Sequence, residues 1–72
     1  MVTLATFEER IRQLMAIDNT AAQVYSELAN LAEDQEAKGL FTSIARDENK
    51  HVRYSQEILA LLKLYNETPQ DG

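Results

Sequence analysis

Cysteine is absent from this 72-residue chain, which excludes both a disulfide framework and any thiolate metal site. Packing alone must hold so short a sequence together. Tryptophan is missing too, and only one proline (Pro69) and two glycines (Gly39 and Gly72) interrupt the chain. The turn chemistry that punctuates a β-sheet or a multidomain chain is therefore lacking, and long helices are what remain. Basic residues are outnumbered: seven Lys and Arg against twelve Asp and Glu give a net charge of -5, which opposes phosphate backbones and anionic membrane surfaces. Nucleic acid is not an expected partner. No apolar run approaches the roughly 20 residues of a membrane span, so no membrane contact is expected. Met1-Val2-Thr3-Leu4 lacks the basic leader, apolar stretch and cleavage site of a secretory signal. The expected setting is cytoplasmic, or inside a cytoplasmic protein compartment.

Against these absences stands a strong helical period. Phe7, Ile11, Leu14, Asp18, Ala21, Tyr25, Leu28 and Ala32 recur in steps of four and three. Ala37, Phe41, Ile44, Glu48, His51, Ser55, Ile58, Leu62 and Tyr65 repeat the pattern. Two amphipathic helices joined by a short turn make an antiparallel hairpin, and the fold class is all-α. Thr6-Phe7-Glu8-Glu9 has the form of a capping box, so helix 1 is expected over about residues 6–32. Glu33-Asp34 supplies an acidic turn able to cap the next helix, at 33–34. Helix 2 then runs over about 35–65. Asn66 is suited to a left-handed cap, Pro69 forbids continuation, and 66–72 reads as a tail of the single domain 1–72. A turn at Lys38-Gly39 is the alternative. It would separate Asp18 from Glu48 by roughly 14–18 Å along the hairpin at 1.5 Å rise per residue, whereas the earlier turn sets them at one depth. Beside the first stripe, Ile17, Val24 and Leu31 form a second apolar row, wider than one partner helix needs. Self-association is the default for so small a hairpin.

Each stripe is interrupted by acid. Burying a carboxylate without a partner costs several kcal/mol in lost hydration, so Asp18 and Glu48 require water, a cation or a metal. Glu48 and His51 are three apart on one helix face and can both reach a single ion. Tyr25 is seven residues beyond Asp18, on the same face, and its ring leans toward the helix N-terminus. Its hydroxyl is a candidate to hydrogen-bond a ligand carboxylate. Asp47 and Ser55, beside the motif, are weaker candidates for that role. Glu27, Glu33 and Glu36 lie off the stripe and read as a solvated face.

The run Asp18-x-x-Ala21-x-x-x-Tyr25-x-x-Leu28-Ala29-x-x-Ala32, followed by Leu40-Phe41-x-x-Ile44-Ala45-x-x-Glu48-x-x-His51, resembles one hairpin of the ferritin-like superfamily, in its rubrerythrin and encapsulated-ferritin branches. The likeness covers nearly the whole chain. One departure stands out: the family normally has Glu where this chain has Asp18. The resemblance implies that two hairpins form a four-helix bundle, as a homodimer or a multiple of dimers. Asp18, Glu48 and His51 of each would hold a pair of iron ions, with manganese or zinc as alternative metals. It further implies oxidation of Fe(II) by oxygen or peroxide, in iron storage or oxidative-stress defence. An encapsulating shell protein is the partner that branch suggests, although the residues after Tyr65 are too few and too polar to read as a targeting tail. The competing expectation is a metal-free helical bundle serving as a structural or interaction module. Its polar layer would then only fix helix register.

Overall fold

The computed structural model describes residues 3–67, and they are all-helical: α1 (Leu4–Leu31) and α2 (Gln35–Glu67) pack against each other. The first cap differs from the expected one. Thr3, in extended backbone, accepts the Thr6 N–H on Oγ1 at 3.1 Å, and its carbonyl accepts the Phe7 N–H at 3.0 Å. The helix therefore starts before Thr6, whose hydroxyl meets that of Thr3 at 2.8 Å. Two threonines compete for one cap, and the earlier one wins because Leu4 and Ala5 between them are good helix formers. Glu8 is drawn into an i,i+4 pair with Arg12 at 2.9 Å.

The chain reverses in three residues. Ala32 leaves the helix in extended backbone while its N–H still reaches the Leu28 carbonyl at 2.9 Å. Asp34 then caps α2, its Oδ2 accepting the Ala37 N–H at 2.9 Å. No described residue has positive φ, so the turn makes no demand for glycine. Gly39 instead lies inside α2, with open space where a side chain would stand. The second helix runs to Glu67, two residues past the expected end, and Asn66 is helical rather than a left-handed cap. Pro69 itself and the remaining expected tail lie outside the described residues, as do Met1 and Val2. No helix among the described residues is long and apolar enough to cross a membrane.

Packing corrects the stripe more than the ends. The line where the helices meet is made by small residues: Ala22 and Ala29 from α1, and Ala45, Val52 and Ser55 from α2, are the buried side chains. Among the described residues no large side chain is fully buried. Phe7, Leu14 and Leu28 of α1 and Ile44 and Ile58 of α2, all counted in the stripes, remain exposed. The reason is geometric. One antiparallel neighbour covers only a narrow strip of each helix, and the alanines allow the closest approach, so the strip centres on them. At about 100° per residue the leftover apolar positions of both helices fall on the same side of the hairpin. One face is thus apolar. The opposite face is a polar groove lined by Ser26 and Asn30 across from Thr42, Arg46 and Asn49.

Candidate metal centre

Asp18 comes from the middle of α1, and Glu48 and His51 from the middle of α2. Their near-equal spacing from the turn puts them at one depth, and their ligand-capable atoms all lie within 4.8 Å of one another. The three residues predicted from the stripe are thus brought together. His51 Nδ1 stands 3.5 Å from Glu48 Oε1, the contact expected of an i,i+3 pair. Burial is graded across the cluster. The Glu48 side chain is 19% exposed and that of His51 is 56% exposed, while Asp18 is half-buried. The set therefore opens outward, onto the apolar face, rather than into the hairpin.

Local sequence explains the placement. Asp18 precedes buried Ala22 by one turn, and Glu48 lies between buried Ala45 and Val52 on α2. Small neighbours leave room for two carboxylates where larger residues would fill the gap. A stripe count passes over Ala22, Ala45 and Val52, although they set the helix separation. Their signal in the sequence is a set of small residues recurring one position beside the stripe.

Tyr25 behaves differently from the expectation. It is half-buried and stacks on Phe41, with ring centroids 6.3 Å apart and planes 29° apart. Among the described residues it makes no hydrogen bond to Asp18, Glu48 or His51. Two turns of helix, roughly 10 Å at 1.5 Å per residue, separate it from Asp18, and the Phe41 ring lies on the α2 side of it. Asp47 pairs with Lys50 at 3.9 Å instead of joining the cluster. Ser55, one turn beyond His51, is buried between the helices.

Two carboxylates and one imidazole are oxygen and nitrogen donors suited to divalent iron, manganese or zinc. Their charge matches one dication. Three donors leave open positions on a tetrahedral or octahedral ion, to be filled by water or by further side chains. No family model, no curated protein and no solved structure matches this chain.

Proposed function

We propose that the hairpin is one half of a ferritin-like four-helix bundle, and that two copies meet on the apolar face to form a shared site where Fe(II) is bound and oxidised. The observation that carries this reading is the convergence of Asp18, Glu48 and His51 within 4.8 Å at the opening onto that face. Two copies supply four carboxylates and two imidazoles. Four carboxylates balance two dications, which removes the desolvation cost each acid would otherwise bear.

Iron is the substrate here, and it brings its own one-electron chemistry toward oxygen or peroxide. What the chain contributes is position and surroundings. Glu48 and Asp18 hold the cations from facing helices, and His51 adds a nitrogen donor in its neutral form. The apolar side chains around the opening exclude water once the second hairpin is seated, which strengthens every charge interaction inside. Storage of the oxidised iron or defence against peroxide would follow from the same reaction.

The test is thermal unfolding with and without Fe(II) under anaerobic conditions. Wild type should gain stability on addition of metal. His51→Ala and Glu48→Ala should each lose that gain while keeping their helix content. A second reading, a metal-free interaction module, draws on the exposure of His51 and the breadth of the apolar face. It wins if Fe(II), Mn(II) and Zn(II) all leave the wild-type midpoint unmoved.

A further inference from the structure

Leu40, Asp47, Tyr54 and Leu61 lie seven apart on α2 and so form a nearly straight row along it. All four are well exposed on the single hairpin: Leu40 by 61%, Tyr54 by 54%, Leu61 by 66% and the Asp47 side chain by 65%. The row borders the apolar face beside His51. Its composition is symmetric about a point between Lys50 and His51, with leucine at each end and a hydrogen-bonding residue at each inner position.

We infer that this row is the edge along which α2 of one copy meets α2 of a second copy, antiparallel and centred beside Lys50 and His51. The inference rests on the shared-site reading and specifies how the second copy is seated. In this register Leu40 faces the partner's Leu61 and Asp47 faces the partner's Tyr54, each contact occurring twice. A Tyr O–H donates and a carboxylate accepts, so the inner pair is chemically matched. Asp47 already pairs with Lys50 at 3.9 Å. The two copies therefore bring two Asp47–Lys50 pairs to the centre, with two negative and two positive groups in all. A self-complementary row is what a two-fold interface demands, because each position must meet its counterpart in the same surface. The same centre sets Glu48 about two residues, and His51 about one, along the axis from the partner's His51, which brings the two donor sets to one depth.

The absence of native cysteine makes the test clean. Leu40→Cys and Leu61→Cys are introduced together, and each alone, and oxidised with diamide in the full chain. Positions 40 and 61 lie roughly 32 Å apart along one helix at 1.5 Å per residue, far beyond disulfide reach within a copy. The double variant should form a covalent dimer in high yield, and each single variant should remain largely uncrosslinked. The edge is overturned if the double variant fails to crosslink, or if the single variants crosslink as readily. Tyr54→Phe supplies a second readout that does not depend on thiols. It should weaken dimerisation about fivefold in sedimentation equilibrium, and an unchanged dissociation constant contradicts the Asp47 contact. A wild-type dimer that responds to Fe(II) but fails these tests keeps the metal site and rejects this seating. A wild-type monomer without metal response rejects both.

Discussion

In the proposed site Asp18 bears more on function than any other single residue, because among the described residues α1 brings no other candidate donor to the cluster, and because the chain departs there from the pattern it resembles. Aspartate is one methylene shorter than glutamate, and metal–oxygen bonds tolerate only about 0.2 Å of error. In the proposed site the close approach of α1 and α2 around buried Ala22 and Ala45 would compensate, since the ligand-capable atoms of Asp18, Glu48 and His51 lie within 4.8 Å of one another. Asp18→Ala should therefore lose most iron oxidation, and Asp18→Asn nearly as much, because it keeps the shape and removes the charge. Initial rates of Fe(III) formation by absorbance, alongside metal stoichiometry, check both, and wild-type rates in either would remove Asp18 from the site. The cluster of Asp18, Glu48 and His51 is legible in the sequence because polar residues interrupting an apolar period are conspicuous. The surroundings of Tyr25 are not. A stripe count places a ring on a face without saying which ring on the other helix it meets, and Phe41 takes the position expected of a carboxylate.

At the scale of the helices, the period fixes existence while capping fixes the ends. Helix 1 begins earlier than its capping box suggests because Thr3 offers the same chemistry one turn sooner. The Asp34 cap at the turn is the clearest local device in the hairpin, and Asp34→Ala should cost about 1 kcal/mol of stability by freeing the Ala37 N–H. Gly39 is the opposite case. It sits within α2, and a Cβ added there would meet nothing within 4 Å, so Gly39→Ala should stabilise by roughly 1 kcal/mol through backbone entropy alone. Chemical denaturation of the two variants reads both effects. A loss on Gly39→Ala would mean that a second chain approaches α2 there. What the sequence does not reveal is which part of the wide stripe the hairpin itself covers. Periodicity reports which positions are apolar, and the single hairpin buries only the alanine line beside them.

For the whole molecule the balance is simple. Among the described residues the buried side chains are three alanines, a valine and a serine, which make almost no core, while Leu14, Ile17, Val24, Leu28, Ile44 and Ile58 stay exposed. Burying a large aliphatic side chain contributes about 1.5–3 kcal/mol, so covering this face outweighs what the alanine line supplies. The thermal midpoint should consequently rise with protein concentration, and a concentration-independent midpoint would contradict association. Under the proposed shared site, metal binding and assembly would be coupled, because each hairpin brings only Asp18, Glu48 and His51 together. Native mass spectrometry of protein loaded anaerobically with Fe(II) reads both quantities at once. The expected species has two chains, or a multiple of two, carrying one iron per chain, with the iron absent from His51→Ala. A monomer, whether bare or holding its own iron, would contradict the shared site.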